Sequence, residues 1–234
     1  MKSHRESSLP AEVLERTVRP YREENDCVCL RQAECMVDGL VVGIRSYDDQ
    51  DRLIAEDPLD QEGHFHGQKL WWYDNGQLLS AEPFWKNLPH GTAKQWEPDG
   101  RLIGTYTMTH GTGFDIWRQV REDGTVYVSE VYFLREGNHD GYAWWFYENQ
   151  RLSHECRWHQ NLRHGIEREW NEQGRLRRGW PRYWIRDQRV TKRAYLRAVE
   201  RDSEYTLPPF DPREQSQDRS FPPEIEQAFH DIRS

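Results

Sequence analysis

The sequence is poor in aliphatic residues, poor in cysteine and without a long apolar segment. Only 35% of its 234 residues are apolar, while 31% are charged. No apolar run approaches the ~20 residues that a membrane-spanning helix needs. Residues 1–16 also lack the apolar stretch of a signal peptide. The sequence therefore predicts a cytoplasmic protein with reduced thiols.

The cysteines do not follow a pattern typical of disulfides or of a structural zinc site. Such zinc sites favour a pair of cysteines separated by two to four residues, and they use four ligands in all. We therefore expect no metal here and interpret the cysteines as small buried residues on a strand. They are Cys27, Cys29, Cys35 and Cys156.

The short motifs of common enzyme classes are also missing. The chain has no P-loop, no dinucleotide-binding glycine motif, no serine-hydrolase elbow and no zinc-protease motif. Acidic residues are abundant, but their spacing does not single out a catalytic pair. The sequence thus predicts a protein that is not an enzyme, with no catalytic residue, cofactor or metal ligand to name.

Aromatic side chains and regularly spaced glycines are what the sequence has in abundance. Aromatic residues reach 13%, with eleven Trp, and each buries about 150–250 Å². A first glycine is followed nine residues later by a second turn position, and this unit recurs through the middle of the chain. Such recurrence is typical of a repeat array. The pairs are Gly67/Gly76, Gly91/Gly100, Gly141/Gln150 and Gly165/Gly174, with a stretched pair at Gly111/Gly124.

Each unit has the pattern of a strand, a tight turn and a second strand. Turns such as Asp-Asn-Gly at 74–76 favour β-hairpins, because glycine tolerates the positive φ that they require. We predict a mainly β fold, an extended antiparallel sheet of stacked β-hairpins with short helical terminal segments. A degenerate first unit is expected at 47–53. The stretched unit and the missing glycine at Gln150 predict a bulge in one hairpin.

The repeated pattern, His-Gly, Trp five residues after the glycine, Asp-Gly and then Leu, resembles the bacterial variant of the MORN repeat. The resemblance covers roughly residues 40–180 and implies short hairpins in an extended antiparallel sheet. Many bacterial proteins with this repeat are described as antitoxins. The resemblance therefore implies a non-enzymatic protein-binding module, antitoxin-like or immunity-like, whose partner is another protein such as a toxin. A scaffold or a protein associated with anionic lipid is the alternative, as proposed for eukaryotic MORN proteins.

Four segments are expected along the chain. Ser8 and Pro10 are typical of a helix start, so a helix is predicted over 8–19, followed by a leading strand. After the hairpins, a strand near Tyr183–Ile185 and a helix beyond Thr191 form a basic cap. A Pro-rich tail then ends in a short helix. The predicted segments are 1–36, 37–180, 181–205 and 206–234, with the last helix at 223–232.

Alternation along a strand places Trp71 and Tyr73 on one sheet face, opposite to Leu70 and Trp72. Two interpretations stay open: the terminal segments cover this face, or it exposes an aromatic stripe to a partner. Tyr and Trp are enriched at binding hot spots. The candidate binding residues are Trp71, Tyr73, Trp144 and Tyr147.

The segment from Arg175 to Arg201 is basic, with ten Lys and Arg against two acidic residues. Such a segment can bind phosphates or anionic lipid, or it can form ion pairs with the acidic repeats. We favour the internal ion pairs, because the acidic remainder of the chain would repel nucleic acid; a membrane surface is the weaker alternative. The candidate basic residues are Arg178, Arg182, Lys192 and Arg193.

Histidines precede the first glycine in four of the units. Equivalent residues of successive hairpins should lie about 9.6 Å apart, two strands away, which is too far to share a zinc ion. We therefore interpret them as structural, and only His64 and His66, on one strand face, form a pair that deserves a check. Open sheet edges would also allow the chain to dimerise.

Overall fold

The computed structural model describes residues 7–19, 31–204, 206–211 and 216–232. Cys27 and Cys29 lie outside the described residues. The protein is mainly β and antiparallel, with two short helices in the described part, which confirms the predicted fold class. It forms two compact units, Met1–His110 (unit 1) and Gly111–Ser234 (unit 2). The boundary lies inside the predicted repeat segment.

Unit 1 is a series of hairpins in which each strand pairs with its neighbour in the chain. The first strand of the last hairpin is interrupted at His90, so that β6 pairs with both of its parts, the short β7 and the longer β8. Its strands are β1 (Leu14–Arg19), β2 (Arg31–Val37), β3 (Leu40–Tyr47), β4 (Leu53–Pro58), β5 (Gly67–Trp72), β6 (Leu78–Trp85), β7 (Leu88–Pro89), β8 (Gly91–Trp96) and β9 (Leu102–Thr109).

Unit 2 continues the same hairpin pattern and adds both helices. The strand β13 pairs with the short β14 and with β15, and β16 and β17 complete the sheet. Its elements are β10 (Thr112–Val120), β11 (Val126–Arg135), β12 (Asn138–Phe146), β13 (Leu152–His159), β14 (Leu162–Arg163), β15 (Gly165–Glu169), β16 (Arg182–Ile185), β17 (Gln188–Val190), α1 (Lys192–Arg201) and α2 (Pro223–Asp231).

The repeat turns share one geometry, including the turn without a glycine. Gly76 has φ +82°, and Gln150 has φ +63° at the equivalent position. Each donates its backbone N–H to the carbonyl three residues earlier, at 2.8 and 2.9 Å. The Gln150 side-chain amide also bonds the backbone N and O of Val128, at 3.2 and 3.1 Å. These bonds hold a residue other than glycine in the left-handed region.

A bulge next to the turn is common to the repeats rather than specific to one hairpin. The pairing register shifts between Trp71 and Trp72 and again between Trp145 and Phe146. The stretched unit has a bulge as well, between Trp117 and Arg118, and its strands are longer, since β10 has nine residues and β11 has ten. The predicted bulge is therefore present in the stretched unit and in the hairpin of Gln150, but it is not specific to them, because a hairpin with a turn glycine has it too.

The first glycine of a unit is required where neighbouring strands approach closely. Gly141 has φ +147°, and a Cβ added there would lie 2.6 Å from the ring of Phe133 on β11. Any larger residue would have to displace this side chain. The glycine therefore permits both the backbone conformation and the packing of β11 against β12.

The predicted helix over 8–19 is wrong, because Leu14–Arg19 forms β1 and pairs with β2. Ser8 was expected to cap a helix. Instead, its backbone N–H and its hydroxyl both donate to Glu56 Oε1, at 2.7 and 2.9 Å. A contact 48 residues away in sequence thus replaces the local cap.

The predicted strand near Tyr183–Ile185 and the two predicted helices after it are confirmed. Thr191 Oγ1 accepts a hydrogen bond from Ala194 N at 3.2 Å and caps α1, as expected for threonine at this position. The strand Arg182–Ile185 covers the predicted one, and Pro223–Asp231 forms the last helix. Neither helix in the described ranges has the length and apolar character needed to cross a membrane.

The buried hydrophobic clusters of the two units are small. In unit 1, Leu70, Trp72 and Ala81 form a buried cluster on one sheet face. In unit 2, Tyr195 of α1 is fully buried among residues of β15 and β16, and its hydroxyl donates to Pro208 O at 2.6 Å. Residues on each sheet are therefore buried mainly where a helix, a terminal segment or a large aromatic covers them.

Candidate binding surface

One face of the unit 2 sheet is covered by the C-terminal segment. The Phe221 ring lies edge-on against Trp144 and Phe146, with centroids 5.4 Å away in both cases. Phe229 of α2 also meets Phe146, at 5.1 Å. Trp144 is consequently only 7% exposed. We call this side of unit 2 the covered face.

A buried ion pair connects the covered face to the tail. Glu155 and Arg168 are almost fully buried, and Arg168 Nη1 donates to Glu155 Oε1 at 2.7 Å. Glu155 Oε2 accepts hydrogen bonds from Trp144 Nε1 at 3.0 Å and from Arg219 Nε at 3.3 Å. Arg219 belongs to the tail, so this carboxylate attaches the tail to the sheet. Its role is structural, because its bonds leave it little access to solvent.

Unit 1 attaches its N-terminal segment in the same way. Glu56 is fully buried and accepts hydrogen bonds from Ser8, as described above, and from Arg45 Nε at 2.9 Å. Leu9 follows Ser8 and packs over Gly43, where an added Cβ would lie 2.7 Å from the leucine side chain. The N-terminal segment thus covers β3 and β4 on one side.

The opposite face of unit 2, which we call the open face, carries a continuous row of aromatic rings. Trp145 follows Trp144 along β12, so its side chain points to the other side of the sheet. Across the strands, Trp145 is paired with Glu130 on β11 and with His154 on β13. All six rings of this aromatic row are half-buried. Neighbouring centroids lie 4.7–5.6 Å apart along Trp158, His139, Tyr132, Trp145, His154 and Trp180.

Carboxylates lie beside the aromatic row. The Tyr132 hydroxyl donates to Glu130 Oε2. Glu167 Oε2 accepts from Trp184 Nε1 at 2.8 Å, and Glu167 Oε1 lies 3.2 Å from His154 Nε2. Burial opposes the ionisation of Glu167, but the hydrogen bonds from His154 and Trp184 outweigh it and lower the pKa of this carboxyl. Glu167 is therefore negatively charged at neutral pH.

The aromatic residues predicted from sequence do not lie together on one face. Trp71 is 40% exposed, but Trp144 is buried beneath the tail, so for Trp144 the first of the two open interpretations holds and a terminal segment covers it. The hydroxyl groups of Tyr73 and Tyr147 donate to the carbonyls of Trp96 and Trp170, at 3.0 and 2.8 Å. These two tyrosines connect successive hairpins instead of forming a surface stripe.

Trp145, which sequence reasoning missed, is the true equivalent of Trp71. Trp71 lies four residues after Gly67, and Trp145 lies four residues after Gly141. Counting from the first glycine of each unit would have identified Trp145. Tyr132, His154 and Trp180 carried no such signal, because they lie on other strands and in a turn.

The predicted basic residues are likewise separated. The Arg182 guanidinium stacks over Trp180 at 3.9 Å on the open face. The next residue, Tyr183, faces the other side and meets Tyr195 of α1 at 5.3 Å. The remaining candidates do not join Arg182: Lys192 and Arg193 lie at the start of α1, and the exposed Arg178 lies in the turn before β16.

The histidines have structural surroundings. His64 Nδ1 lies 3.4 Å from Asp60 and 3.3 Å from Glu62, and these three residues could hold a metal ion. The Asp60 carboxylate, however, also accepts the backbone N–H groups of this turn. His66 instead packs against Trp85 at 4.5 Å, so His64 and His66 do not act as a pair.

The expected separation of about 9.6 Å between repeat histidines does not hold at the turns. The rings of His90 and His110 lie 4.2 Å apart, and His90 Nδ1 accepts the backbone N–H of His110 at 3.1 Å. The estimate assumed straight neighbouring strands, whereas these residues lie where the chain turns. The hydrogen bond nevertheless supports a structural role for His90.

Neither the family models nor the curated proteins that were compared with this chain give a match. The class that the geometry itself defines is a β-hairpin repeat protein, in which one face of unit 2 packs against the tail and the other carries an aromatic row.

Proposed function

We propose that the chain is a non-enzymatic repeat module that binds another protein through the open face of unit 2. The aromatic row is the observation that carries this proposal. Six half-buried rings in contact form a preorganised surface, and Trp and Tyr are the residues most enriched where binding energy concentrates. The half-buried Glu130 borders the row and supplies a polar rim, as in typical interfaces.

The different packing of the two faces of unit 2 supports the same proposal. The tail already covers Trp144 and Phe146, so the hydrophobic side chains that stabilise unit 2 lie mostly on the covered face. In the contacts described above, the rings of the open face pack against one another and against Arg182. They also keep enough exposure to meet a partner without any rearrangement of the sheet.

The resemblance to the MORN repeat supports a protein toxin as the partner, which would make the chain an antitoxin or immunity protein. Binding of anionic lipid or nucleic acid has less support. The basic residues that favoured it are split between the open face, where Arg182 lies, and α1, which carries Lys192 and Arg193.

Affinity purification of the full-length chain from its native host, as wild type and as Trp145→Ala, tests the proposal. We expect a stoichiometric protein partner with the wild type. Its affinity should fall about 30-fold in Trp145→Ala, as for a hot-spot residue worth about 2 kcal/mol.

The matched control is Trp71→Ala, which removes the equivalent exposed indole of unit 1. We expect this variant to keep the partner, and circular dichroism should show that both variants are folded. Recovery of no stoichiometric partner, or equal recovery with Trp145→Ala, would contradict binding through the open face.

A further inference from the structure

We propose that unit 1 binds a divalent transition-metal ion such as Zn²⁺ in the turn that joins β4 to β5, with Asp60, Glu62 and His64 as its ligands. The inference is independent of the proposed function, because it concerns the other unit and another kind of ligand. Its grounds are the donor set, the distances between the donor atoms and a buried histidine nitrogen that makes no hydrogen bond.

The donor set combines one imidazole with two carboxylates. Among the residues that the structure describes, it is the only group of three His, Cys, Asp or Glu side chains whose ligand atoms lie within 4.8 Å of one another. An imidazole nitrogen favours zinc and similar transition metals, whereas Mg²⁺ and Ca²⁺ prefer sites made of oxygen ligands alone. The histidine therefore selects the class of metal, and the carboxylates supply the opposite charge.

The distances between the donor atoms match those around a metal ion. His64 Nδ1 lies 3.4 Å from Asp60 Oδ2 and 3.3 Å from Glu62 Oε2. Metal–ligand bonds of about 2.0–2.2 Å at a tetrahedral angle place two ligand atoms about 3.3–3.6 Å apart. The histidine and each carboxylate therefore already have the separation that a shared ion requires. A fourth coordination position remains for water.

The histidine nitrogen has an environment that a metal ion would satisfy. His64 Nδ1 is buried and makes no hydrogen bond, although the side chain as a whole is 37% exposed. A buried polar atom without a hydrogen bond costs about 1–3 kcal/mol. A metal ion bound to Nδ1 would remove this cost. The Glu62 side chain is 64% exposed, so an ion can reach the site from solvent.

The turn fixes the Asp60 carboxylate without using both of its oxygens. Asp60 Oδ1 accepts the backbone N–H groups of Glu62 and His64, at 2.9 and 3.0 Å. Asp60 N also donates to His64 O at 2.9 Å. Hydrogen bonds of this kind commonly orient a carboxylate that ligates a metal. The bonds that give Asp60 a structural role thus leave Oδ2 beside the imidazole for the ion.

The equivalent turns of other hairpins lack these ligands. The next such turn is Lys86–Asn87, and its counterpart in unit 2 is Gln160–Asn161, each with two residues at positive φ. Lys86 nevertheless affects the proposed site, because its Nζ lies 3.5 Å from Glu62 Oε2. Its positive charge opposes the binding of a dication, so its removal should strengthen the binding.

Isothermal titration of the purified full-length chain with Zn²⁺ tests the inference, with Mg²⁺ and Ca²⁺ as comparison ions. Cysteine thiolates also bind zinc, so the site is defined by the binding that His64→Ala removes. We expect one Zn²⁺ per chain at this site, with affinity reduced at least about tenfold by His64→Ala and by Glu62→Gln. Lys86→Gln should raise the affinity several-fold by removing a nearby like charge.

The matched control is His66→Ala, which removes the neighbouring histidine whose ring packs against Trp85 instead. It should bind Zn²⁺ as the wild type does, and circular dichroism should show that all variants are folded. Glu62→Gln preserves side-chain volume at an exposed position and provides the readout if His64→Ala impairs folding.

Hydrogen exchange gives a second readout that locates the ion. Zn²⁺ should increase the protection of amides at 60–64 in the wild type but not in His64→Ala. Equal binding of Zn²⁺ by the wild type, His64→Ala and Glu62→Gln would overturn the inference. Binding of Mg²⁺ or Ca²⁺ as tight as that of Zn²⁺ would overturn the assigned class of metal.

Discussion

In unit 1 the carboxylate of Glu56 accepts hydrogen bonds from Ser8 and Arg45, whereas in unit 2 the carboxylate of Glu155 accepts them from Arg219 and Arg168. The two glutamates occupy the same place in the repeat, three residues after Leu53 and Leu152. One repeat position thus attaches a different terminal segment in each unit. The hairpins supply a scaffold, and the chain ends cover one side of it.

The sheet faces opposite to these attachments differ between the units in whether the chain itself places a cation against the aromatic rings. Unit 1 places its own Lys69 against Phe65 and Phe84. Unit 2 has Ala143 at the equivalent position and carries the aromatic row, whose central rings are Tyr132 and Trp145. The same repeat can therefore place a cation of the chain itself against the rings of one unit and a row of aromatic rings on the other unit.

Removing each buried carboxylate gives the largest expected effect and tests whether the two attachments are equivalent. Glu155→Gln leaves Arg168, which is fully buried, without its counter-charge, so we expect a loss of about 3–5 kcal/mol in unfolding free energy. Glu56→Gln should cost less, about 1–3 kcal/mol, because the Arg45 side chain retains 18% exposure.

Urea unfolding followed by circular dichroism and Trp fluorescence measures both changes. Hydrogen exchange locates them, since amides of 216–219 should lose protection in Glu155→Gln. An equal loss of unfolding free energy in the two variants would show that the different burial of Arg168 and Arg45 does not affect how strongly the terminal segments are attached.

The turns allow a second comparison between the units. Gly100→Ala in unit 1 forces alanine to φ +89°, which should cost about 1–2 kcal/mol. In unit 2, Gln150→Ala adds no such strain but loses two hydrogen bonds to Val128, each worth about 1 kcal/mol. Gln150→Gly should be about 1 kcal/mol more stable than Gln150→Ala, because glycine relieves the left-handed conformation.

Midpoints of urea unfolding for the three variants provide the measurement. If Gln150→Gly were more stable than the wild type, the two bonds to Val128 would contribute less than the roughly 1 kcal/mol that glycine gains in this conformation, which would contradict their role in holding the turn.

The hairpins were predictable because local chemistry determines them. Asp-Gly and Asn-Gly turns require positive φ wherever they occur, and Thr191 caps its helix with a bond to a residue three positions away. The error at 8–19 has the opposite cause. Ser8 has a local capping tendency, but Glu56, 48 residues away, binds it, and a distant contact of this kind leaves no signal in the nearby sequence.

The candidate site was only partly predictable. Trp71 and Trp145 share an offset from their first glycines, so spacing alone could have replaced Trp144 by Trp145. Coverage by a terminal segment was one of the two interpretations, but nothing in the sequence of 206–234 says that Phe221 would be the residue that covers Trp144. Tyr132 and Trp180 come together with Trp145 only through the strand pairing and the turn geometry.

The smallest expected effect concerns the position that is Phe65 in unit 1 and His139 in unit 2, each two residues before its first glycine. Burial lowers the pKa of His139 below its usual value of 6.5. The unfolded chain therefore binds a proton more readily than the folded one, and stability falls as the pH drops below about 6.5. His139→Phe should remove this loss, since Phe is the residue that unit 1 has at this position and His139 Nδ1 is buried without a hydrogen-bond partner.

Thermal unfolding at pH 7.5 and 5.5 should show a smaller fall in Tm for His139→Phe than for the wild type. His230→Phe, at a more exposed histidine of α2, is the control and should leave the fall unchanged. An unchanged fall in His139→Phe as well would mean that the acid sensitivity of unit 2 arises elsewhere, and the contrast between Phe65 and His139 would then have no consequence for stability.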